Sequence, residues 1–164
     1  MLNYDRASLK DWTYGSNRGS LLYTYESLGK ENLEFYRTLP TSAILFLPKV
    51  TPLTIMHGSP NATRELLLPG KGNSRTVLRC AATTELLCGH SHKQFVFRQD
   101  GRQLMNPGSV GLSISETPGA YFSILEFQDG GWHAELCHIP YDVDRVIAAF
   151  YECGLIEKAT IWSM

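Results

Sequence analysis

Five histidines occur in this 164-residue chain, and three of them, His57, His90 and His92, fall just past the ends of predicted strands. His57 follows Leu53-Thr54-Ile55-Met56 and opens Gly58-Ser59-Pro60, while His90 and His92 sit in Gly89-His90-Ser91-His92, after Leu86-Leu87-Cys88. Strand ends in α/β sheets are where loops converge to build sites. Imidazole is a borderline ligand suited to several divalent transition metals, so three converging rings make one side of a metal site. Gly89 lets the backbone turn sharply, and histidines one residue apart in a loop can address two different ions. Spacing alone leaves open the other reading, in which each ring is an ordinary core or surface histidine.

The elements that must position these rings are read from periodicity and breakers. Ser27 is placed to cap a helix whose Leu28, Leu33, Phe35, Tyr36 and Leu39 share a face and which Pro40 ends. Residues 43–47 and 53–56 read as strands, 58–73 as an irregular loop, 74–82 as a helix opened by Ser74, and 85–88 as a strand stopped by Gly89. Asp100-Gly101 and Asp129-Gly130-Gly131 each sit between strand-like runs, the pattern of two successive hairpins. Asp142 is placed to cap a last helix carrying Val143, Val146, Ile147 and Phe150, with Gly154 to end it. Residues 1–26 show no sustained period and read as loop with short helical pieces. The order implies a mixed α/β (α+β) domain.

Composition narrows the classes of function. With 43% hydrophobic and 19% charged residues the chain is globular rather than disordered. Fifteen Lys plus Arg against sixteen Asp plus Glu leave no bulk attraction to nucleic acid or anionic lipid. The four cysteines include no Cys-x-x-Cys pair and are read as buried, reduced thiols, which with the lack of a signal-like or membrane-spanning run implies a cytoplasmic protein.

Fourteen residues beyond His92 begins Asn106-Pro107-Gly108-Ser109-Val110-Gly111. With His57-Gly58-Ser59-Pro60 and Gly89-His90-Ser91-His92 before it, in that order, the chain resembles the calcineurin-like metallophosphoesterase superfamily, in its small bacterial and archaeal phosphodiesterase branch. The segment Tyr36-Arg37-Thr38-Leu39-Pro40 is similar to that family's helix before the strand that delivers the first of these histidines. The resemblance implies two divalent transition metals (Mn, Fe, Ni or Zn) side by side, activating a hydroxide for in-line attack on phosphorus. It assigns His57 and His90 to one metal and His92 to the other, with Gly89, Asn106 and Gly108 shaping the site. His133 and His138 have no matching role and are read as structural. Among the basic residues near the site in sequence, Arg64, Arg75, Arg79, Lys71 and Lys93 are candidates for phosphate contact or simply solvated charge.

The family's Asp-x-His, Gly-Asp and Gly-Asn-His motifs do not occur in the sequence; the one Gly-Asn, Gly72-Asn73, is followed by Ser74. The expectation is therefore residues 1–164 as a single incomplete metallophosphoesterase-like domain. It would be the C-terminal portion of an αββα sandwich lacking its N-terminal strands and helices, with Met1 inside a longer family-like protein. Such a chain is expected to be the C-terminal part of a phosphodiester or phosphomonoester hydrolase, inactive alone, with no catalytic residue of its own and partial or no metal occupancy. A phosphate-ester substrate would bind if the site were completed, and the open apolar edge would be covered by self-association or a separate N-terminal half. The other reading is a non-catalytic binding or regulatory module on the same fold.

Overall fold

The computed structural model describes residues 19–153; the loop reading for 1–18 and the helix stop at Gly154 fall outside them. Pro40–Tyr141 forms one compact unit, and the described residues before and after it belong to a second.

The Pro40–Tyr141 unit is layered. Its strands are β1 (Ser42–Leu45), β2 (Leu53–Met56), β3 (Glu85–Leu87), β4 (Phe95–Gln99) and β5 (Arg102–Asn106), joined in one mixed sheet of order β1-β2-β3-β5-β4. β2, β3 and β5 run parallel, with β1 and β4 antiparallel at the two edges. Because side chains alternate across a strand, each residue pair in register assigns a row to one face. Leu86 and Leu104 face the helix α1 (Gly72–Cys80), whose Ser74, Val77 and Leu78 recur at helical spacing on one buried stripe, and Met56, Leu67 and Phe95 complete that core.

The opposite row, Leu87, Met105 and Val96, packs with Leu53 against a two-stranded sheet of β6 (Ala120–Gln128) and β7 (Gly131–Ile139). Leu125, Phe127, Trp132 and Ala134 supply its inner face, and the Trp132 indole N–H donates to the Thr51 carbonyl at 2.8 Å. A helix layer, a five-stranded sheet and a second sheet give the mixed α/β architecture that the order of elements implied.

Both hairpin turns form as the Asp-Gly pairs predict: Asp100 and Gly101 lie at φ 53° and 69°, Asp129 and Gly130 at 50° and 81°, the left-handed pair of a type I′ turn. Two helix starts differ from the sequence reading. Ser74 does not cap α1; the helix begins at Gly72 and the Ser74 hydroxyl, buried inside it, accepts from the Leu68 N–H at 3.0 Å.

The second unit carries α2 (Gly19–Ser27), α3 (Lys30–Thr38) and α4 (Val143–Glu152). Ser27 closes α2 instead of opening α3, because Gly29, extended at φ −65° and ψ 158°, supplies the break and the N-cap position. Asp142 caps α4 as read, accepting from the Arg145 N–H at 3.0 Å. All four cysteines are free, but only Cys88 is buried and Cys80 is exposed, because Cys80 ends α1 beyond its buried stripe. Among the described residues no helix is long and apolar enough to cross a membrane.

Candidate metal centre

β2, β3 and β5 are parallel and end together, so the residues just past their C-terminal ends meet at one end of the sheet. The Gly89 N–H donates to the His57 carbonyl at 2.7 Å, extending the β2–β3 pairing by one bond and setting the two histidine segments side by side. Gly89 has a second use: a Cβ there would lie 3.3 Å from the His57 carbonyl oxygen and 3.5 Å from its ring Nδ1. Gly58 is required more strictly, since a Cβ would fall 2.6 Å from two backbone oxygens, those of Ala62 and Thr63. That close approach folds the loop after β2 back on itself directly beside His57.

The His57 and His90 rings meet edge to face, centroids 5.0 Å apart, with His57 Nε2 and His90 Nδ1 separated by 3.2 Å. That is a hydrogen bond between the rings, the donor set by the tautomer, and it is also close to the about 3.3 Å that separates two nitrogens on one tetrahedral ion. His57 has its pKa held below 6.5, by burial first and then by the charges of His90 and His92. All three rings therefore share one electrostatic neighbourhood, and the lowered value favours the neutral imidazole that a metal needs. His92 Nδ1 lies 2.6 Å from the Leu112 carbonyl. A carbonyl only accepts, so Nδ1 carries a hydrogen, and in the neutral tautomer Nε2 is the nitrogen with the lone pair.

Holding these rings requires strained backbone. His90 and His92 adopt φ 63° and 54°, left-handed values that side-chain-bearing residues avoid. The Ser91 N–H donates to the Gly89 carbonyl at 2.7 Å, closing a tight turn around His90. Asn106 stabilises that turn. Fully buried, it donates from Nδ2 to the Gly89 carbonyl at 2.8 Å and to Ser91 Oγ at 3.0 Å, while Oδ1 accepts from the Gly108 N–H at 2.9 Å. Gly108, at φ 86° and with no room for a Cβ beside Tyr121 and Gln94, completes the turn that follows β5.

Among the described residues no three His, Cys, Asp or Glu side chains are grouped to hold a metal ion. Of the three expected ligands the structure thus brings together two, His57 and His90, and does not group His92 or a carboxylate with them. His138 stacks on Tyr121 at 4.4 Å and meets the Pro118 carbonyl, while His133 lies on β7. Arg75 is held by the Gly70 carbonyl and the Gln99 side chain. The sequence reading missed the Leu112 carbonyl, which no motif marks.

The fold is a mixed α/β domain with His57, His90 and His92 just past the ends of its parallel strands. Residues 3–130 match the model of the calcineurin-like phosphoesterase superfamily domain, and the chain belongs to that superfamily, whose members generally bind divalent metals. Among solved structures it is similar to a hypothetical protein of Pyrococcus horikoshii OT3 (TM-score 0.70, 22% identity, 82% of this chain and 54% of that one). It is also similar to a metallophosphoesterase from Sphaerobacter thermophilus (TM-score 0.69, 22% identity, 83% of this chain and 63% of that one). At this identity the likeness is one of fold. The chain spans little more than half the length of the first protein and under two thirds of the second. No curated protein matches it.

Proposed function

We propose that this chain is the C-terminal part of a metal-dependent phosphoesterase, with His57 and His90 holding one divalent cation and His92 a second. The observation that carries the reading is the 3.2 Å approach of His57 Nε2 to His90 Nδ1 in a strained, Asn106-braced turn. When bound, such cations supply a Lewis acid for the phosphoryl oxygens and lower the pKa of a water. The chain's own part is to hold the rings: the Leu112 carbonyl keeps the His92 Nε2 lone pair available, and Asn106 fixes the turn between His90 and His92. Beside the rings, the loop 107–119 exposes Val110, Leu112 and Ile114, an apolar wall suited to the leaving group of an ester.

Among the described residues no carboxylate is grouped with the rings to bridge two ions, so the expected outcome for the chain alone is no hydrolysis of a phosphate ester. Completion comes from a separate N-terminal half or from self-association. The edge strand β1, whose four residues are all exposed, and the apolar Phe46 and Leu47 that follow it support this. A cytoplasmic location belongs to the same reading.

The test is to read the DNA upstream of the Met1 codon for in-frame Asp-x-His, Gly-Asp and Gly-Asn-His motifs. The longer product and this chain are then assayed with bis(p-nitrophenyl) phosphate in Mn²⁺, Ni²⁺ or Zn²⁺. Hydrolysis by the longer product and none by the chain supports the proposal. If no such motifs exist upstream, the second reading, a non-catalytic module, is the better one; the lack of a third grouped ligand among the described residues favours it.

A further inference from the structure

The opposite end of the five-stranded sheet carries a second polar cluster, independent of the phosphoesterase reading. Glu85 on β3, Gln103 on β5 and Arg98 on β4 stand in one register row across three adjacent strands. The row lies one step below the apolar row Leu87–Met105–Val96, on the face that packs against β6 and β7. There the two sheets part, and a cleft of about 430 Å³ opens, lined by these three residues with Asp100, Trp132 and His133. That volume is in the range of small-molecule sites. Glu85 opens β3 and His90 follows its end, so roughly 16 Å of extended chain separates this cleft from the histidine rings.

The floor of the cleft is short of donors. Glu85 and Gln103 are 8% and 5% exposed, yet Glu85 Oε2 and Gln103 Oε1 are buried without any hydrogen-bond partner. The Gln103 amide cannot turn to relieve this, because its Nε2 is committed to the Trp132 carbonyl at 2.5 Å. The Gln103 side chain and the charges of Arg98 and His133 already favour the Glu85 carboxylate, but buried acceptors in native proteins find donors, and among the described residues none reaches these two atoms. At the rim, Arg98 is exposed and has no carboxylate within ion-pair distance among the described residues. Arg102 also lines the rim, but one of its nitrogens is spent on the carbonyls of Leu78, Ala81 and Thr83 at the end of α1.

We propose that this cleft binds a small zwitterion, its ammonium group donating to Glu85 Oε2 and Gln103 Oε1 and its anionic group meeting the Arg98 guanidinium. An ammonium brings three donors to a floor that has two unmatched acceptors. A plain cation would face repulsion from Arg98, and a plain anion would face the Glu85 carboxylate; a molecule with both charges meets each with its opposite. A metal ion is a poorer fit, since the described residues offer no group of three ligating side chains here. Burial raises the Glu85 pKa, and an ammonium partner would draw it back down.

The test titrates the full 164-residue chain with L-serine and with O-phosphoethanolamine, following amide and indole N–H resonances of Gly101, Gly131 and Trp132 by NMR. Ethanolamine and inorganic phosphate serve as one-ended probes. Saturable shifts with at least one zwitterion, at least ~10-fold weaker binding of both one-ended probes, and at least ~10-fold weakening by Glu85→Gln and by Arg98→Ala are expected. His57→Ala should leave the affinity unchanged, which separates this cleft from the histidine site. Preference for serine identifies the anion as a carboxylate, and preference for phosphoethanolamine identifies it as a phosphate ester. Arg98 is exposed, so its variant keeps the test valid if Glu85→Gln disturbs folding. No saturable shift up to about 10 mM of either zwitterion, equal affinity for a one-ended probe, or affinity insensitive to Arg98→Ala overturns the proposal.

Discussion

Replacing Asn106 by alanine should cost the chain much of its stability. The side chain is fully buried and makes three hydrogen bonds of 2.8 to 3.0 Å. One partner, the Gly89 carbonyl, keeps the Ser91 N–H as a donor when Asn106 is removed. The other two, Ser91 Oγ and the Gly108 N–H, lose their only described bond to this side chain. Two orphaned groups at ~1–2 kcal/mol each, with a small cavity, give a loss of about 3–5 kcal/mol. Against a typical total of about 5–15 kcal/mol, that is a large fraction. With a urea dependence of about 2 kcal/mol per molar, the unfolding midpoint should fall by roughly 2 M. Equilibrium urea unfolding, followed by tryptophan fluorescence, measures it. Asn106→Asp keeps the shape but turns an acceptor toward the Gly89 carbonyl. It should therefore cost at least as much at neutral pH and recover part of the loss as the new carboxyl becomes protonated. A midpoint for Asn106→Ala within about 0.5 M of wild type would refute the account of the turn.

Four more outcomes follow from the same structure. His57 has its pKa held below 6.5 by burial and by His90 and His92, so the unfolded chain takes up a proton first as pH falls. Stability is full above about 6.5 and declines as pH drops through the folded value; urea midpoints between pH 8 and 5 should show this decline and His57→Gln should flatten it. Glu85 shows the opposite sign, its pKa raised above 4.5 chiefly by burial. Stability is then full below 4.5 and lost as pH rises through the folded value, so Glu85→Gln should melt higher than wild type at pH 7.5 and lose that advantage near pH 4.5. The Cys88 thiol, pushed up to about 12 by burial, should react with a disulfide reagent only on unfolding, whereas exposed Cys80 should react in the native chain. Sedimentation velocity should show concentration-dependent association that Phe46→Lys weakens, since Phe46 is 71% exposed beside the open strand β1; a monomer at all concentrations would count against that surface.

Where local chemistry decides structure, the sequence was legible. Asp100-Gly101 and Asp129-Gly130 dictate their own turns, the breakers around Leu53–Met56 bound β2 to the residue, and Asp142 caps α4. Where two local signals compete, it was less so. Ser27 and Ser74 both look like caps, but Gly29 breaks the chain two residues past Ser27, and burial turns the Ser74 hydroxyl toward Leu68. Strand order is settled by pairing between distant segments, which no window of sequence contains. The same holds within the site. The strand-end position of the three histidines was readable, because strands stop at breakers. The left-handed backbone at His90 and His92 was not, since it depends on an asparagine that arrives fourteen residues after His92 and closes the turn from another strand. Nor was the cleft at Glu85, whose two acceptors become neighbours only when β3 and β5 align.

The 2.6 Å bond from His92 Nδ1 to the Leu112 carbonyl joins an imidazole to the middle of a long surface loop. Ring and loop are thereby one mechanical part. A shift of the ring is handed on to Leu112 and to its exposed neighbours Val110 and Ile114, the apolar side chains that a protease with such a preference attacks. If a cation on His92 moves the ring, the cutting rate between residues 107 and 119 should change with it, which a gel reads without any substrate in the tube.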